Sequence, residues 1–145
     1  MVASAAAAVK GTDLVFADPD NGLETKSARE GQARIIKYVR YADLQQLRAR
    51  GHSLVIYHHL GRTGGTHPEQ VATLRSGLVD RLGLERRPAA LTFRRGSART
   101  FFIVPAASHE EASRERLDAL SQTASATAFD RTPDVETKGS SQSEA

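Results

Sequence analysis

Two short apolar runs separated by a helical repeat constrain this chain more than any other feature. Leu14-Val15-Phe16-Ala17 lies between Gly11 and the turn residues Asp18 to Gly22, and Ser53-Leu54-Val55-Ile56-Tyr57 follows Gly51. Apolar runs of this length between turn formers read as buried strands. Between them, Tyr41 to Arg50 places Leu44 and Leu47 on one helical face, with Gly51 where a left-handed cap belongs. A strand, a helix and a second strand in that order fold as parallel strands joined by a crossover.

The rest of the chain extends the pattern. Thr66-His67-Pro68-Glu69 fits a capping box, and the helix it opens carries Val71, Leu74, Leu78 and Leu82 before Gly83. Ala89 to Phe93 and Thr100 to Val104 are β-like runs joined by a short polar link containing Gly96, which predicts an antiparallel hairpin. Ser108-His109-Glu110-Glu111 is a second capping box ahead of a helix with Leu117 and Leu120. Gly22 to Gln32 reads as polar loop, and Ala33 to Val39 as extended chain or the first turn of a helix. The expected fold class is α/β: parallel strands ending in an antiparallel hairpin. The expected organisation is a disordered N-terminus over residues 1–12, an α/β unit over 13–106, a helix over 107–122 and a disordered Ser-rich, acidic tail over 123–145.

Composition bounds the chemistry. The 145 residues suit one domain. The absence of cysteine excludes disulfides, thiolate metal sites and a cysteine nucleophile. No apolar run approaches the roughly 20 residues of a membrane helix, so the cytoplasm is the expected compartment. Charge is distributed unevenly. Residues 28–106 hold fourteen basic and five acidic side chains, whereas residues 107–145 hold four basic and eight acidic. A basic middle segment suits a phosphate-bearing partner such as nucleic acid, although scattered arginines also serve simply to solvate helix faces.

Ligands of open α/β sheets sit beyond the carboxyl ends of the strands. Two loops occupy that position. The first is Asp18-Pro19-Asp20-Asn21-Gly22. Pro19 fixes φ there, and Asn21-Gly22 tolerates positive φ. Its carboxylates could accept from an amino group about to be methylated, hold Mg²⁺, or act as a general base. The same five residues also make an ordinary turn. The second loop begins at Tyr57-His58-His59 and continues through Gly61-Arg62-Thr63-Gly64-Gly65 to His67. Strand alternation sends His58 and His59 to opposite faces, which argues against a two-histidine metal clamp. A histidine here reads as a polar site residue or proton carrier, or as a partly buried ring bonded to backbone. The glycines before a helix start could bring amides to a phosphate, aided by Arg62, but they lack the lysine and spacing of a P-loop.

An apolar strand running into Asp18-Pro19 resembles the Asp-Pro-Pro-Tyr motif of amino-directed, S-adenosylmethionine-dependent methyltransferases of class I. The element order over Asp13 to Val104 is similar to the second half of that Rossmann-like, three-layer fold, from its fourth strand to its closing hairpin. More narrowly, Leu14 to Glu24 with Lys37-Tyr38 and Ile56-Tyr57-x-His59 resembles a group of bacterial and phage proteins carrying Asp-Pro-Asp-Asn-Gly. The resemblance implies a site in which Asp18, Pro19, Asp20 and Asn21 face the reacting amino group. Gly22, Lys37, Tyr57, His58, His59 and Arg62 would surround the substrate. Asp20 stands where the family has its second proline, and Asn21 where it has its stacking aromatic. The family binds its cofactor before the motif, and only seventeen residues precede Asp18. The chain is therefore expected to be a fragment, a half that needs a partner chain or a second copy along its sheet edge, or a degenerate remnant. Two other readings remain. One is a metal-dependent phosphatase or nuclease: Asp-x-Asp after a strand also resembles the haloacid dehalogenase family, with Asp18 as nucleophile and Asp20 as acid/base, though the later lysine and acidic pair of that family have no counterpart after Tyr57 or Val104. A non-catalytic interaction domain is the third.

Overall fold

A computed structural model describes residues 8–25 and 37–136. The first of these segments contains β1 (Leu14–Ala17) and β2 (Gly22–Leu23). The second runs through β3 (Tyr38–Val39), α1 (Tyr41–Ala49), β4 (Ser53–His59), α2 (His67–Leu82), β5 (Arg86–Arg87), β6 (Ala89–Phe93), β7 (Arg99–Val104), α3 (Glu110–Ser121), β8 (Phe129–Thr132) and β9 (Val135–Glu136). The expected loop from residue 26 to 32 and the extended stretch before Lys37 lie outside the described residues, as do residues 1–7 and 137–145.

Five strands form one mixed sheet in the order β1-β4-β7-β6-β8. β1 pairs parallel with β4, as a strand–helix–strand order requires. β7 runs antiparallel between β4 and β6, so the predicted hairpin folds back with its second strand innermost. The chain is thus α/β, with a sheet that is parallel only at its β1–β4 end.

The two faces of the sheet differ. One carries Leu54, Ile56, Phe102, Val104 and Ala90, all buried, against Leu44 of α1 and Val71, Leu78 and Leu82 of α2. Removing such side chains from water stabilises the fold by roughly 25 cal/mol per Å² of apolar surface. The opposite face carries Leu14, Phe16, Val55, Tyr57, Phe101, Ile103, Leu91 and Arg131. α3 reaches part of it, with Arg131 donating to the Leu117 carbonyl at 3.2 Å and pairing with Asp118 at 2.7 Å. Leu14 and Phe16 on the edge strand stay 56% and 53% exposed.

Several local signals hold. Thr66 caps α2 in a reciprocal box with Glu69, and Gly83 ends the helix in the left-handed region. Gly51 has φ 86° after α1. Two expectations need correction. Ser108 does not cap α3. Residues 107–109 form a 3-10 turn, and the side chain that ties it down is Ser53, whose Oγ accepts from the Ala106 amide and lies 2.8 Å from His109 Nδ1. The tail expected to be disordered from residue 123 is ordered as far as residue 136. β8 pairs antiparallel with β6, and Phe93 packs on Phe129 with ring centroids 5.6 Å apart. The polar composition of this segment hides a strand whose partners lie far earlier in the chain, in a register from Ala90 with Thr132 to Phe93 with Phe129.

Candidate functional site

Asp18 to Asn21 follow β1 at its carboxyl end and bend the chain into β2, which pairs parallel with β3. The turn is held from several sides. Asn21 N–H donates to the Lys37 carbonyl at 2.9 Å, and Glu24 N–H to the Val39 carbonyl at 3.0 Å. Glu24 in turn accepts from the Tyr41 amide at the start of α1. Leu23, fully buried, donates its N–H to His58 Nδ1 at 3.0 Å.

That last bond fixes the role of His58. Nδ1 accepts, so the ring is neutral with its proton on Nε2. Burial lowers the His58 pKa to about 4, with the neighbouring His59 adding a smaller push in the same direction. Gly22 is equally constrained. It has φ +94°, and a Cβ there would lie 2.3 Å from His58 Nδ1. His58 is therefore the partly buried, backbone-bonded histidine, and Gly22 lets it approach. Neither faces the open side of the turn.

Asp18 and Asp20 are exposed, and neither carboxylate has a hydrogen bond or ion pair among the described residues. Pro19 and Asn21 are half-buried, and Lys37 is exposed. Among the described residues no group of three His, Asp or Glu side chains stands close enough to hold a metal ion. Tyr57 lies on the opposite face from His58, with its ring edge-on to Phe101 at 5.7 Å. Phe16 stacks on Phe101 from the other side at 6.3 Å, with 25° between the planes. The three rings form a strip across β1, β4 and β7, and its β1 member, Phe16, lies two residues before Asp18.

The loop 61–65 is closed on its own helix. Gln70 bonds both the N–H and the carbonyl of Gly61 and the carbonyl of Gly65. Glu69 accepts from the Thr66 amide at 2.7 Å, which together with the Thr66 hydroxyl holds its carboxyl below the usual range. The protein's own carboxylate thus occupies the helix N-terminus expected to meet a phosphate. Arg62 and His59 are exposed beside it. Leu60 N–H meets the Ala98 carbonyl, which brings this loop against the β6–β7 turn and Arg99.

Of the aromatic strip, Tyr57 is a site residue expected from the sequence, whereas Phe16 and Phe101 are not, and neither is Arg99. The guanidinium of Arg99 lies 5.4 Å from the Phe93 ring centroid, and its Nε is buried with no hydrogen-bond partner among the described residues. For Phe16 a signal does exist in the strand alternation: the residue lies between Val15 and Ala17, so it faces the other way from them.

No protein-family model, curated protein or solved structure matches the chain. No helix among the described residues is long and apolar enough to cross a membrane.

Proposed function

We propose that this chain is the substrate-side half of a methyltransferase-like, Rossmann-like domain, and that its Asp18–Gly22 turn receives the exocyclic amino group of a nucleic-acid base. The observation that carries this reading is an Asp18 carboxylate without a partner among the described residues, on a rigidly held turn at the head of an open aromatic strip. Asp18 would accept a hydrogen bond from the amino group. The Pro19 carbonyl, in a residue with fixed φ and no competing N–H, offers a second acceptor. Stacking on an exposed ring is worth about 1–3 kcal/mol per base. Phe16, two residues before Asp18, supplies the ring that Asn21 does not. Arg99 and Arg62 offer charge to the backbone phosphates.

The order β1, α1, β4, α2, β6, β7, with β1 parallel to β4, agrees with the second half of the fold that the resemblance implies. In this reading the described residues do not hold S-adenosylmethionine alone. Their glycine loop is closed on Glu69 and Gln70 rather than open to a ligand. In this reading the cofactor belongs to a separate unit that pairs along β1, the edge strand of the sheet among the described residues, where Leu14 and Phe16 are exposed.

The test is fluorescence anisotropy with a single-stranded adenine oligonucleotide, alongside calorimetry with S-adenosylmethionine. Salt-dependent binding of the oligonucleotide, weakened tenfold or more in Phe16→Ser, is the expected result. Binding that is indifferent to Phe16 and Asp18 would overturn the reading.

A further inference from the structure

A cavity of about 240 Å³ lies at the opposite end of the sheet from Asp18, between the turn 83–88, the end of β7 and α3. Its apolar lining includes Ala89, Ile103, Val104 and Leu117. They come from β6, β7 and α3 and meet only in the fold. An apolar cavity of about 150 Å³ holds one benzene molecule, so this space takes a ring together with a small head group.

The polar lining favours a negative head group. Arg48, Arg86, Arg87 and Arg114 border the cavity, against Glu85, Glu110 and Asp134. Asp134 is already shared: Arg86 donates to it through Nε at 3.0 Å, and Arg114 lies 3.7 Å away. Arg87 is exposed, and its guanidinium has no partner among the described residues. Behind it sits Arg75, 6% exposed and bonded to the carbonyls of Pro88 and Pro133. Those carbonyls satisfy its N–H groups without cancelling its charge. Burial, and then repulsion from Arg87, lowers the Arg75 pKa. An anion at the cavity mouth would relieve that repulsion. A guanidinium fork matches a planar carboxylate better than a spherical ion.

We infer that this cavity binds a small organic carboxylate whose apolar body is about the size of one aromatic ring. Arg87 and Arg114 hold the carboxylate, and Ala89, Ile103 and Leu117 receive the body. The site is independent of the Asp18 turn and stands or falls without it.

Amide chemical-shift titration of the full chain tests the inference, with benzoate as probe. Benzyl alcohol has the same body without charge, and inorganic phosphate has charge without a body. Saturable benzoate shifts at Ala89, Ile103 and Ser113 are expected, with benzyl alcohol at least tenfold weaker and phosphate weaker still. Arg87→Ala, at an exposed position that leaves the core intact, should weaken benzoate fivefold or more. Ser113→Phe narrows the cavity while keeping its charged rim, and should abolish benzoate binding. Equal binding of benzoate and benzyl alcohol would overturn the anion site. Phosphate binding as tightly as benzoate would overturn the apolar body. Shifts confined to Phe16, Tyr57 and Phe101, or no saturation at all, would overturn the cavity as the site.

Discussion

At the carboxyl end of β1 the molecule presents two exposed carboxylates and a strip of three rings on an open sheet face. At the other end it forms a partly open pocket bordered by four arginines. The first end is built from residues adjacent in sequence and made of turn formers. The second is assembled from the chain between residues 48 and 134 and carries no motif. A strip along a sheet face suits an extended partner that lays several groups along it, whereas a concave pocket suits one small molecule. Local sequence therefore points to the surface end. Only the fold reveals the other.

The comparison breaks most easily at Gly22. A Cβ placed 2.3 Å from His58 Nδ1, on a backbone at φ +94°, cannot be accommodated without moving the β2–β3 pair. Gly22→Ala should cost about 2–4 kcal/mol in urea unfolding. It should also abolish oligonucleotide binding while leaving benzoate shifts at the cavity unchanged. Loss of both together would mean that the two ends are not separate.

The next largest effect is on pH. His58 titrates near 4 in the fold, against about 6.5 when unfolded, so below 6.5 the unfolded chain binds the extra proton. The stability contributed by neutral His58 is complete above pH 6.5 and is lost progressively as the pH falls toward 4. The upper bound is about 3 kcal/mol, since each tenfold difference in proton affinity between fold and unfolded chain is worth about 1.4 kcal/mol. Urea unfolding across pH 4 to 7 reads this, and the His58→Phe variant should flatten that segment of the curve. An unchanged slope in the variant would remove His58 as the pin of the turn.

A smaller effect follows at His58 itself. Its replacement by Phe leaves the buried Leu23 N–H without its acceptor, at a cost of about 1–3 kcal/mol. Hydrogen exchange at Leu23 should accelerate more than at Ile56 or Phe102, equally buried residues in the central strands β4 and β7. Smallest of all, Asp18→Asn should leave stability within about 0.5 kcal/mol, because the carboxylate is exposed and has no partner among the described residues. A large loss of stability there would show that Asp18 is a structural residue.

How much of this is legible in the sequence depends on the range of the interactions. β1, β4 and α2 follow from local patterns, and the Thr66–Glu69 box is a contact between residues three apart. The placement of Asp18 at the end of a parallel strand follows from connection rules. β8 escapes a sequence reading because Phe129-Asp130-Arg131-Thr132 has no apolar alternation of its own; Phe93 and Asp118 supply its partners. The cap expected at Ser108 fails because Ser53, distant in sequence, ties down that turn first. Strand alternation correctly separates His58 from His59. That His58 bonds the Leu23 amide requires knowing that β2 crosses the end of β4. Strand alternation sets Phe16 apart from Val15 and Ala17, but that Phe16 meets Phe101 and Phe101 meets Tyr57 requires the β1–β4–β7 register.

Binding of single-stranded oligonucleotides that differ only in one exocyclic amino group tests the central reading most directly. Adenine and purine oligomers of equal length, titrated against the chain and its Asp18→Asn variant, share stacking surface and phosphate charge. The chain is expected to bind the adenine oligomer about tenfold more tightly than the purine oligomer, and Asp18→Asn to lose most of this preference. Equal affinity for the two oligomers, or a preference that survives in Asp18→Asn, would contradict it.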